Sequence, residues 1–188
     1  MKSIQKGLIG LMVILMVVSC SKKETTPPTA GETNSLLLAG AKGSTFNWKL
    51  TLMQGSVSGG APADIQQLTG ITFPACELDN IFQFTYNSSQ SFQQTEGASS
   101  CMTGDPSSIE SGSWAFTDDG KTLLIDGTVN ITQTQAQLSA EPFLSYMILS
   151  GQLLSVKTLT SSSLVLSYNF IDSSTSQTVT ITLTFSKS

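Results

Sequence analysis

The sequence predicts an all-β fold, an up-and-down antiparallel barrel of about eight strands, with a β-sandwich as the alternative. Three observations carry this. Apolar residues recur with period two from about residue 45 onwards, turn-forming clusters separate the alternating runs, and helical periodicity is scarce. A barrel suits the count because closure removes the exposed strand edges that an open sheet leaves.

The first strand places Phe46, Trp48, Leu50 and Leu52 on one face and Asn47, Lys49 and Thr51 on the other. Phe82, Phe84 and Tyr86 repeat the alternation; Asn87-Ser88-Ser89 then turns the chain into a polar strand around 91–95. Trp114 and Phe116 mark the next strand. Asp118-Asp119-Gly120 follows at once, and Asp-Gly between alternating runs is a strong hairpin signal because Gly tolerates positive φ. Thr122 to Asp126 is the returning strand, Leu154 and Val156 suggest another, and Leu164, Leu166, Tyr168 and Phe170 a longer one. Val179, Ile181, Leu183 and Phe185 form the last, with Thr180, Thr182 and Thr184 between them. The one helical candidate is 141–149, where Pro142 stands early and Phe143 lies four before Met147; it reads equally as a strand. Long connections fall near 53–78 and 127–150.

The N-terminus reads as a secretory signal. Lys2 and Lys6 precede an apolar run from Leu8 to Val18, which is too short for the roughly 20 residues of a spanning helix. Val17-Val18-Ser19-Cys20 resembles the lipobox of bacterial lipoproteins, in which the cysteine is acylated and becomes the mature N-terminus. Several acyl chains on Cys20 meet the two-signal requirement for stable anchoring. The resemblance implies a cell-envelope location; Ser rather than Asp at position 21 leans towards the outer membrane and leaves the leaflet open. From Ser21 to about Ser35 there is almost nothing apolar to offset ordering entropy. The expected organisation is a signal at 1–19, lipidated Cys20 and a flexible tether through residue 40, and the barrel at 41–188. At roughly 3 Å per residue, the tether's fifteen polar residues reach about 45 Å.

Removing residues 1–19 from 188 leaves 169, enough for one domain with a substantial core. Lys2 and Lys6 leave with the signal and no acid does, so the net charge moves from −4 to −6. With that net charge and no Arg in the chain, a basic nucleic-acid or heparin surface is not expected. There is also no His, which removes Ser-His-Asp and Cys-His nucleophiles, His-containing zinc sites and the side chain that titrates nearest neutrality. Paired carboxylates, Lys chemistry and oxygen-ligand metals survive. No cofactor and no catalytic residue is read from the sequence. Lipidation would consume Cys20 and leave Cys76 and Cys101, with 24 residues between them, to form a disulfide. A catalytic or metal-binding pair is the alternative, although no third ligand and no Cys-x-x-Cys accompanies them.

Trp48-Lys49-Leu50, then 76–84 with Cys76 and Asp79, then Glu96-Gly97 before Cys101, resemble in order and spacing the lipocalin-like lipoproteins of Gram-negative bacteria. So do 112–116, Asp119-Gly120-Lys121-Thr122-Leu123 and 159–166, and the likeness covers roughly 45–187. It implies a calyx-like barrel with a disulfide near its early hairpin. The chain departs from lipocalins at the first strand, where Gly43 lies five residues before Trp48 instead of just before it.

Candidate cavity-lining residues are Trp48, Phe82, Phe84, Trp114, Leu166 and Tyr168, which serve equally as core. Phe143, Tyr146, Met147 and Ile148 lie in a connection and are the candidate lid. Asp118 and Asp119 read as turn formers before they read as a carboxylate pair or calcium loop; Glu77 and Asp79 are the remaining acid–base candidates. The expected function is capture of a small apolar or amphipathic ligand by a membrane-anchored barrel. The alternative is an accessory envelope protein whose outer surface docks a partner protein or glycan. No particular protein partner is indicated.

Overall fold

The structure, a computed structural model, describes residues 27–69, 75–99, 108–130, 148–173 and 175–188. It is a closed antiparallel barrel. Its strands are β1 (Thr45–Val57), β3 (Ile81–Thr85), β4 (Ser91–Thr95), β5 (Ser108–Phe116), β6 (Thr122–Val129), β7 (Leu153–Leu159), β8 (Ser163–Ile171) and β9 (Thr178–Lys187). Each pairs with the next, and β9 returns to β1 to close the ring of eight. A two-residue strand, β2 (Ala63–Asp64), hangs on the free upper edge of β1, followed by the short helices α2 (Ile65–Thr69) and α3 (Ala75–Leu78). The sandwich is excluded by the β1–β9 pairing.

Alternation puts one apolar series inside. Phe82 and Phe185 meet edge to face at 5.1 Å, and Phe84 stacks between Phe92 at 5.1 Å and Trp114 at 6.1 Å. Such ring pairs add about 0.5–1.5 kcal/mol each beyond the area they bury. The Trp114 indole N–H bridges the carbonyls of Thr85 and Ser91 at 3.2 and 3.1 Å, tying β3 to β4 from within. At the β5–β6 turn Gly120 adopts φ 68°, and the Asp119 carboxylate accepts the Thr117 hydroxyl and the Lys121 N–H. Asp118 and Asp119 are thus turn residues.

The expected inward face of β1 is corrected at one position. A bulge between Leu50 and Leu52 leaves Thr51 without a partner in the register with β9. Above it the alternation changes phase: Met53 and Gly55 are buried, whereas Leu52 is 39 % exposed. A β-bulge inserts one residue and therefore exchanges the two faces beyond it.

The tether expected through residue 40 is also corrected. Residues 30–39 form the helix α1 (Ala30–Ala39), started by a capping box in which the Thr29 hydroxyl accepts the Glu32 N–H and the Glu32 carboxylate accepts the Thr29 N–H. Its apolar residues cluster at 36–39 and make no stripe, so the helix carries little periodic signal. Tertiary contacts hold it in place. Leu38 and Ala39 are wholly buried, Gly31 N–H donates to the Asp118 carbonyl at 3.2 Å, and the Asn34 amide donates to the Gly120 carbonyl at 2.9 Å. Trp48 completes the stopper by donating its indole N–H to the Leu38 carbonyl at 2.8 Å. Despite the displaced Gly43, the first-strand Trp does close this end of the barrel.

Replacing Trp48 with Phe strands the Leu38 carbonyl in the core, which costs about 1–3 kcal/mol in addition to lost packing. Urea denaturation checks this as a lower midpoint for Trp48→Phe.

Candidate binding site in the barrel wall

All six residues expected to line a cavity lie inside the barrel, but packed on the core at 0–6 % exposure. They form its floor and filling. Of the expected lid, Phe143, Tyr146 and Met147 lie outside the described residues; Ile148 is half-buried beside the buried Leu149. Cys20 and Cys101 are also outside them, while Cys76 in α3 is disulfide-bonded. Asp79 is engaged structurally, one carboxylate oxygen accepting the Ser99 N–H at 3.1 Å. Among the described residues no three His, Cys, Asp or Glu side chains are gathered as metal ligands.

A pocket opens where the wall divides. β3 covers only the first five residues of β1, from Thr45↔Thr85 to Lys49↔Ile81. Beyond that, β1 pairs on this side only with β2, at Gln54↔Asp64 and Gly55↔Ala63. β2, α2 and α3 fill the gap incompletely, leaving a pocket of about 130 Å³ lined by Leu50, Met53, Ile65, Leu78 and Asp64 with the bulged Thr51-Leu52 and Gln66. Leu50 and Met53 also belong to the core, so the pocket reaches from outside the wall to the barrel interior. Gly55 permits this packing: a Cβ there would come within 2.9 Å of the Ile65 side chain and 3.0 Å of Leu68. The Asp64 carboxylate accepts the Gln66 N–H at 2.8 Å, which starts α2 and fixes the acid at the pocket.

A second feature is polar and interior. Gln94 on β4 and Glu110 on β5 are direct cross-strand partners on the inner face, 1 % and 0 % exposed. The Glu110 carboxyl accepts the N–H groups of Leu149 at 3.2 Å and Ser150 at 2.6 Å, holding the approach to β7 against the inner wall. Burial pushes this carboxyl above its ordinary range, and hydrogen bonds from Ser150 and Leu149 draw it part of the way back. The side-chain carbonyl oxygens of Gln94 and Asn80 are buried without partners. On the exposed β5–β6 turn the opposite holds: the Thr117 hydroxyl and the Lys121 N–H hold the Asp119 carboxyl below its usual range.

The pocket residues were not legible as a group. Leu50 was visible as an inward strand residue, but Met53 needs the bulge, and Ile65 and Leu78 need the short helices. The signal that marks Asp64 is its place two residues before Gln66, the spacing of an Asx turn. Glu110 sits in a polar-looking stretch, Ser108-Ile109-Glu110-Ser111, which alternation alone does not assign.

No protein-family model matches this chain, and no curated protein sequence matches it.

Because Glu110 binds its proton more tightly folded than unfolded, it favours the folded state at low pH. That contribution is lost as pH rises from about 4.5, the unperturbed value, through the raised folded value. Comparing urea stabilities of the native chain and Glu110→Gln across this range checks it: the native chain loses stability relative to the variant as pH rises.

Proposed function

We propose that this chain is a lipoprotein of the bacterial cell envelope, anchored through acylated Cys20, whose barrel binds a small molecule by an apolar group inserted between β1 and α2–α3. Binding rather than catalysis is the reading, since no His is present and Asp79, Asp118 and Asp119 are used in loop structure. The observation that carries it is the pocket itself: an apolar lining continuous with the core, at a point where the sheet is left unpaired. Its size limits the guest. A dry cavity of about 150 Å³ holds benzene, while whole drug-sized ligands occupy about 300–1,000 Å³. At about 130 Å³ this pocket takes a ring or a short alkyl group. The resemblance to lipocalin-like lipoproteins agrees with a ligand-binding barrel, and the lipobox and Ser21 favour the outer membrane. The tether joins the barrel through α1, at the end away from the pocket.

A second reading is favoured by one observation. The outer wall of β3–β4–β5 has a recess of about 450 Å³ lined by Gln83, Thr85, Ser91, Gln93 and Ser111. Its neutral amides and hydroxyls suit docking of a glycan or partner protein.

Titration of the mature chain with benzyl alcohol, followed by methyl NMR, is expected to shift Leu50, Met53 and Ile65 together. Leu78→Trp, which fills the pocket from its partly exposed side, abolishes those shifts while leaving the far-ultraviolet circular dichroism unchanged. Shifts scattered over the surface, or confined to the β3–β5 recess, count against the pocket.

A further inference from the structure

Charge in this barrel is sorted by end. Four of the five lysines among the described residues lie towards α1, and the fifth, Lys49, stands opposite Ile81 at the start of β3. Lys42 follows the helix, Lys121 sits in the β5–β6 turn and Lys187 ends β9; Lys157 is near the end of β7. Glu32, Asp118 and Asp119 accompany them. Among the described residues the other end holds Asp64, Asp79, Glu96, Glu110 and Asp172. The stretches 70–74, 100–107 and 131–147, whatever their course, contain neither Lys nor Arg.

The pocket opens towards this end, and among the described residues Asp64 is the one charged residue that lines it. Surface charges are screened beyond about 8 Å at physiological salt, so the charge on the lining itself weighs most on what enters. A carboxylate set beside the apolar side chains of Leu50, Met53, Ile65 and Leu78 calls for a guest that carries positive charge on an apolar body. A carboxylate or phosphate would meet only like charge.

Resting on the pocket as the binding site, we propose that its ligand is a small apolar amine, with its ring or alkyl body among Leu50, Met53, Ile65 and Leu78 and its ammonium on the Asp64 carboxylate. Anionic molecules of the same shape are turned away.

The test compares three probes of nearly equal shape, benzylamine, benzyl alcohol and benzoate, on the mature chain by methyl NMR titration. Benzylamine is expected to bind most tightly, benzyl alcohol next, and benzoate more weakly than benzylamine by more than about tenfold, because like charges brought together at an interface are strongly disfavoured. Asp64→Asn keeps an acceptor for the Gln66 N–H, so the start of α2 survives, and it brings benzylamine close to benzyl alcohol. Benzoate binding in the pocket as tightly as benzylamine overturns the proposal, as does an amine preference unchanged in Asp64→Asn. If none of the three enters the pocket, it is the reading of the pocket as a binding site that fails.

Discussion

β1 hydrogen-bonds to β9 from Trp48 to Val57, but β3 reaches only from Thr45 to Lys49 on its other side. A thirteen-residue strand therefore stands beside a five-residue one, and the barrel must close over the mismatch. Two devices answer it. The bulge at Thr51 turns the upper half of β1 so that Met53 and Gly55 face inward, and β2 with α2 and α3 covers the edge that β3 leaves free. Without the bulge, Leu52 would be inside and Met53 outside, and the pocket would lose one of the walls it shares with the core.

The two ends of the barrel are built differently. Next to α1 the inventory of polar groups is matched: the indole of Trp48 meets the Leu38 carbonyl, that of Trp114 meets Thr85 and Ser91, and the Asn34 amide meets Gly120. Native interiors pair the great majority of buried polar groups, so this end reads as finished structure. At the other end the Gln94 and Asn80 oxygens are unmatched, and Glu110 is buried with backbone donors instead of a cation. Burying such groups costs stability. The buried aromatic cluster lies between the two ends.

Much of the fold was legible. The period-two runs of Phe46 to Leu50, Phe82 to Phe84, Leu164 to Phe170 and Val179 to Phe185 are strands with one buried face, and Asp118-Asp119-Gly120 is the turn it was read to be. What escaped has physical causes. α1 lacks an apolar stripe and is held by contacts to residues far along the chain, although Thr29-x-x-Glu32 announced its start. Leu52 was misplaced because a bulge leaves no mark in the alternation until its partner strand is known. The six aromatic and aliphatic residues nominated for a cavity were inward, as expected, but sequence does not distinguish a filled interior from an empty one. The pocket depends on helices of five and four residues, too short to show a period at all.

Whether the divided wall is a binding site or only a seam is decided most directly by diffraction from crystals of the mature chain pressurised with xenon, which enters small apolar cavities without needing a specific contact. Xenon density bounded by Leu50, Met53, Ile65 and Leu78 is the result the divided wall predicts. Density only among the aromatic rings of the floor, or none in the seam, would contradict it.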